Sequence, residues 1–229
     1  MQRDPATAND QLGTTRVVLR PIASPLPLGF AGLAVASATL AGTELGWIGH
    51  SDVVHAGLIA FIFAPLVQVI ACVFGFLSRD AVAATGIGVL AATWAAIGAV
   101  SVTSRAGATS HALGTLLLVA AAAVLVSATV AAAAKLVPAI VMGLAAARFA
   151  VTGIYEFVPD SGWKTATGIV GLVTALAALY GMASLETESM FRSPLLPTLR
   201  RGAGRQALAG DLPAQVSDVA AEAGVRKQL

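Results

Sequence analysis

The chain has 229 residues, of which 57% are hydrophobic and only 11% charged, less than half the charge of an ordinary soluble domain. That much apolar surface cannot be hidden in one aqueous core of this size, and a formal net charge of +2 gives no basis for a nucleic-acid partner. The lone cysteine, Cys72, excludes an internal disulfide framework and a Cys-based metal cluster.

The gaps between charges set out the elements in chain order. Residues 1–25 carry Arg3, Arg16 and Arg20 but no apolar stretch. They are expected to form a cytoplasmic arm rather than a cleavable signal, with the first helix acting as the insertion signal. No Asp, Glu, Lys or Arg occurs in 21–43, 53–78, 81–104, 106–134 or 165–185. Each gap accommodates the roughly 20 apolar residues of a membrane-spanning helix. A further run, Pro138 to Phe157, contains Arg148 in its middle and Glu156 near its end. These runs are continuous rather than alternating, which excludes barrel strands.

The expected fold is therefore all-α: a polytopic bundle of six transmembrane helices near 27–48, 54–77, 81–103, 111–133, 138–157 and 164–185. Polar turns at Ser78-Arg79-Asp80, Ser104 to Gly107 and Pro159 to Gly162 separate them. Pro27 and Pro138 suit first-turn positions. The membrane domain spans 26–186, and 187–229 forms a polar basic tail in which Asp211 to Ala223 carries a weak helical stripe.

Lys and Arg placement orients the bundle. With both termini inside, eleven of these residues lie on the inner side and only Arg105 and Lys164 on the outer. The bias predicts cytoplasmic termini in a multi-pass protein of the cell's inner (plasma) membrane. Trp47, Tyr155 and Trp163 then share the outer interface.

Sites for chemistry are sparse. The chain has no phosphate loop, no H-E-x-x-H and no G-x-S-x-G, so no catalytic residues, metal ligands or cofactors are assigned and an enzyme is not expected. Gly29-x-x-Gly32 and Gly42-x-x-x-Gly46 suit close helix approach instead. Arg148 is the most informative residue, because a mid-membrane charge must face protein or water. It is either an anion-attracting group beside a permeation path or a structural residue, in an ion pair or hydrogen-bonding at the interface of an oligomer. Glu156 lies eight residues on, about 12 Å along the axis, too far for a tight intrahelical pair. Glu156, His55 and His111 are candidate proton-linked groups at the outer side, where a histidine near an acid titrates in the physiological range. His50 is the third histidine on that side, with Glu44 and Asp52 nearby in sequence, and the alternative for all three histidines is simple anchoring of helix ends.

At the start of the first helix, Ser24-Pro25-Leu26-Pro27-Leu28-Gly29-Phe30 resembles the Asn-Pro-Ala-Pro-Leu-Gly-Leu signature of the succinate–acetate permease (acetate uptake transporter) family. The likeness continues through Ala56-Gly57-Leu58, Gln68 and Ala71, the Arg79–Thr85 turn, Trp94, Gly168, Gly171-Leu172, Tyr180 and Leu196-Pro197. It covers about residues 23–200, with helix 4 and the tails adding little. The resemblance implies a permease or channel for small carboxylates, proton-coupled or channel-like, in a homo-oligomer that is a hexamer with one pore per subunit. It also implies a substrate path along Ser24, Pro25, Pro27, Leu28, Gly29, Leu33, Gln68, Leu90, Ala145 and Arg148. Departures are informative. Ser24 replaces an amide with a hydroxyl, and the narrowing positions, Leu33, Leu90 and Ala145, are less bulky than the family's. Arg148 stands where the family has an apolar residue, three positions from Ala145 and so on the same helix face. A looser constriction beside a cation favours anions, including ones larger than acetate. The alternatives are a pore for small neutral solutes and a non-transporting membrane assembly or accessory subunit.

Overall fold

The computed structural model describes residues 22–105, 107–191, 195–202, 204 and 205. Within them lie six helices: α1 Leu26–Glu44, α2 Val53–Leu77, α3 Ala81–Thr103, α4 His111–Ala131, α5 Leu136–Phe157 and α6 Ser161–Met190. A single 3₁₀ turn, His50–Asp52, leads into α2. All six helices are long and apolar enough to cross a bilayer. The protein is an all-α, multi-pass membrane bundle, and no strand forms among the described residues. The helix starts follow local chemistry. Asp80 accepts from the Ala83 N–H (3.2 Å), Ser110 from Leu113 (3.3 Å), and Asp160 from Gly162 and Trp163 (2.6 and 3.1 Å), each supplying a donor-hungry first turn with an oxygen.

Two helix ends differ from the charge-gap reading. The apolar run to Ile48 predicts a longer α1, but the helix stops at Glu44 and the Trp47 and Ile48 amides fold back onto the Gly42 carbonyl. Gly46 makes that turn at φ +75°, a conformation glycine adopts freely. At the other extreme α6 continues through Thr187 to Met190, beyond the first charged residue of the expected tail. The weak stripe at 211–223 and the basic arm at 1–21 lie outside the described residues.

Each helix packs on its chain neighbours and α6 closes against α1, so the six form a ring. One end of the ring holds the start of α1 and the finish of α6 and is called the terminal end; the opposite is the far end. The interior core contains Phe30, Leu33, Leu90, Trp94, Ala145 and Phe149, all fully buried. Trp94 and Phe149 meet edge-to-face with centroids 5.5 Å apart. The tightest seam is α2 against α3. A Cβ on Gly98 would lie 2.6 Å from the Phe61 Cα, so only a glycine permits the approach. Pro65 sits inside α2 and removes the helical bond to the Phe61 carbonyl at that same crossing. The outward faces are apolar, most extensively on α2, where Ile62, Leu66 and Phe76 are more than half exposed.

Beyond α6 the chain returns across the terminal end. Arg200 pairs in an antiparallel bridge with Lys135, and the Arg201 N–H donates to the Ala134 carbonyl at 3.0 Å. Glu188 holds this segment from α6. Its Oε1 accepts from Arg200 Nε and from Thr198 Oγ1, both at 2.7 Å, and its other oxygen accepts from Arg200 Nη2. The Tyr180 hydroxyl donates to the Pro197 carbonyl at 2.9 Å.

Candidate functional site

Two cavities open at opposite ends of the ring. The far cavity, about 340 Å³, is lined by residues of all six helices, among them Leu40, Val53, Ser101, Leu113, Arg148 and Lys164. It therefore lies over the ring's centre. The terminal-end cavity, about 210 Å³, is lined by Ser24, Pro25, Arg79, Asp80, Lys135 and Arg200. Asp80 and Lys135 form an ion pair within it.

Between the cavities lies an apolar level. Leu33 is seven residues into α1, Leu90 nine into α3 and Ala145 nine into α5, placing all three roughly 10–14 Å from the terminal end at helical rise. All three are fully buried and belong to one hydrophobic cluster. Three buried polar atoms near this core, Ser37 Oγ, Gln68 Oε1 and Trp94 Nε1, have no protein partner. Such groups cost about 1–3 kcal/mol each when nothing satisfies them. Gln68 is fixed by its other end, with Nε2 donating to the Gly29 carbonyl at 3.2 Å.

Arg148 does not stand alone in the bundle. It is 2% exposed, and its Nη1 and Nη2 donate to the two carboxylate oxygens of Glu44 at 2.6 and 2.8 Å. Nη1 also donates to the Thr167 carbonyl. The pair thus joins the end of α1 to α5 and to the first turns of α6. Gly171 makes room for it, since a Cβ there would lie 3.0 Å from Arg148 Cζ. Of the two readings left open by the sequence, the ion pair is present, and Arg148 still lines the far cavity.

The expected path residues are distributed along the ring. Ser24 and Pro25 line the terminal-end cavity, and Pro27 is half-buried just above it. Leu28 is 39% exposed and faces away from the interior. Gly29, Leu33, Gln68, Leu90 and Ala145 are buried in the core. Of the proton-linked candidates, Glu156 lines the far cavity and accepts from the Ser110 N–H at 2.6 Å, holding the start of α4. His55 does not join them: it contacts Asp52 at 3.2 Å on the exposed far surface. His111 stacks on Phe157 with centroids 5.0 Å apart, outside the cavity lining. Glu44, His50, Tyr155 and Lys164, which the sequence places at the outer side without assigning them to the path, all line the far cavity. Glu44 had one available signal: it is the acid bordering a span at the end where an intramembrane arginine needs a counter-charge.

The six helices thus form a closed ring with a cavity at each end and an apolar level between. Among solved structures the fold is shared by one described as the structure of the bacterial acetate channel SatP, at TM-score 0.68 and 17% identity, over 77% of this chain and 99% of that one. At that identity the likeness establishes a common fold. No protein-family model and no curated protein matches the chain.

Proposed function

We propose that the chain is a channel or permease for small carboxylates of the acetate and succinate type, with both termini cytoplasmic in the inner (plasma) membrane. In this reading the terminal-end cavity faces the cytoplasm and the far cavity the outside. The anion meets Arg148 and Lys164 in the far cavity, crosses the level of Leu33, Leu90 and Ala145, and leaves past Gln68, Gly29, Pro27, Pro25 and Ser24. The observation that carries the reading is a far cavity over the centre of the ring, lined by Arg148 and Lys164 together with Glu44 and Glu156, in a fold shared with a bacterial acetate channel. The resemblance of the Ser24–Phe30 segment to the succinate–acetate permease family points the same way, and it is also the basis for expecting a hexamer with one path per subunit.

Reconstituted protein is expected to carry radiolabelled acetate and succinate into vesicles faster than protein-free controls. Vesicles that accumulate neither overturn the proposal. The uncharged middle level, where Leu33, Leu90 and Ala145 are buried, favours a second reading, passage of the undissociated acid, because an apolar constriction admits neutral solutes and resists ions. Flux that follows the protonated acid and ignores an imposed voltage supports the second reading; flux that responds to voltage supports the first.

A further inference from the structure

The Arg148–Glu44 pair carries the permeation reading a step further, with the class of ligand taken from that reading. Two contacts at 2.6 and 2.8 Å from a guanidinium edge to two carboxylate oxygens are the geometry in which an arginine holds any carboxylate. The edge that would bind an acetate is therefore already filled by a side chain of the same chemistry. The two partners are not equally held. Arg148 is 2% exposed and is bound separately to the Thr167 carbonyl of α6, packed against Gly171. The Glu44 side chain is 16% exposed, borders the cavity, and belongs to the last residue of α1, just before the Gly46 turn. The cation has a second anchor on α6, whereas the two bonds to Arg148 are the ones that hold the anion at the cavity's edge.

We propose that the far cavity is a carboxylate-exchange site, in which a small carboxylic acid takes the place of Glu44 on the Arg148 fork and leaves its proton on Glu44. The acid's O–H bond breaks, a new O–H bond forms on the Glu44 carboxylate, and the substrate carboxylate replaces it as the guanidinium's partner. Release runs the same steps backwards. The site's net charge is the same before and after. An anion arriving without the proton would instead crowd two carboxylates around one cation in a poorly solvated place.

The other ionisable groups facing Glu44 are accounted for by element. From α5 come Tyr155 and Glu156, from α6 Lys164, and from the 3₁₀ turn His50. The α2, α3 and α4 linings are Val53, Ile97, Ser101 and Leu113, none of which titrates. Glu156 is engaged by the Ser110 N–H. Glu44 is the acid in contact with the fork, so it is the group positioned to receive the proton.

Binding of radiolabelled acetate to the full-length protein in detergent tests the exchange without requiring flux. The wild type is expected to bind about tenfold more tightly for each unit by which pH falls in the range where dissolved acetate is the anion, the signature of one proton taken up per anion. Glu44→Gln, neutral and of the same shape, is expected to bind tightly with a pH dependence below about twofold over that interval. His50→Gln and Glu156→Gln are expected to keep the wild-type slope. Arg148→Lys, which keeps the charge and loses the fork, is expected to weaken binding by about tenfold or more. No acetate binding by the wild type, a wild-type affinity independent of pH, or a Glu44→Gln protein that keeps the wild-type slope overturns the proposal. Should Arg148→Lys fail to fold, the Glu44→Gln slope decides alone. pH-linked binding without flux into vesicles would overturn the permeation reading and leave the exchange site standing, whereas flux with an unaltered Glu44→Gln slope would do the reverse.

Discussion

At the scale of single residues, the far cavity depends on charges that neutralise each other across 104 positions of sequence. Removing one partner is therefore worse than removing both. Arg148→Met strands a carboxylate in a partly buried site, and is expected to lower the melting temperature of the detergent-solubilised protein by several degrees. Combining it with Glu44→Gln is expected to restore most of that loss; a double variant no more stable than the single would contradict the pairing. Gly171→Ala places a methyl 3.0 Å from Arg148 Cζ, an overpacking expected to cost about 1–3 kcal/mol in thermal or denaturant unfolding. Arg148 was legible in the sequence because it is the one basic residue inside an apolar run. Its partner was not, since Glu44 sits at a helix end, where an acid is unremarkable, and no local pattern encodes a contact between the first helix and the fifth. The three histidines stood out as histidines near acids on one side, and of them His50 lines the far cavity while His55 and His111 do not.

At the scale of elements, the absence of charge located five of the six helices, and α5 was read from its apolar length in spite of Arg148, because a lipid-facing backbone must bond within its own helix and tolerates few exposed charges. Ends were harder. Hydropathy continues through Ile48, so the stop at Glu44 came from the Gly46 turn, which leaves no trace in an apolar average. The extension of α6 through Glu186 and Glu188 was hidden for the opposite reason, since charged residues end a span without ending a helix. The segment after α6 is held by Glu188, which bonds both Arg200 and Thr198. Glu188→Ala is expected to free residues 195–202 from the terminal end while the six helices persist. Faster hydrogen exchange and proteolysis confined to that segment would be the readout, and unchanged protection would show that Tyr180 and the backbone bridge suffice.

At the scale of the whole molecule, the ring places one apolar level between two polar cavities, and flux should respond to the bulk at that level. Ala145→Phe, which fills the interior beside Leu33 and Leu90, is expected to reduce acetate uptake into vesicles by about tenfold or more. Leu90→Ala is expected to raise uptake or admit larger carboxylates. Equal uptake by both variants would move the path away from the ring's centre. The broad apolar face of α2 is the largest outward surface available for lipid or a second copy. Mass measurement of the intact protein released from detergent is expected to give a homo-oligomer, with six copies as the value the family resemblance implies.

The closure of α6 on α1 also has a consequence for biosynthesis. A ribosome delivers helices in order, so the first one inserted must wait for the last before its side is covered. During that wait Glu44 has no guanidinium, since Arg148 emerges only with the fifth helix, and the Thr167 carbonyl that anchors it only with the sixth. The nascent chain therefore carries an uncompensated acid near the membrane surface while the next 104 residues are made, and the last helix to arrive both anchors the arginine and covers the open side of the first.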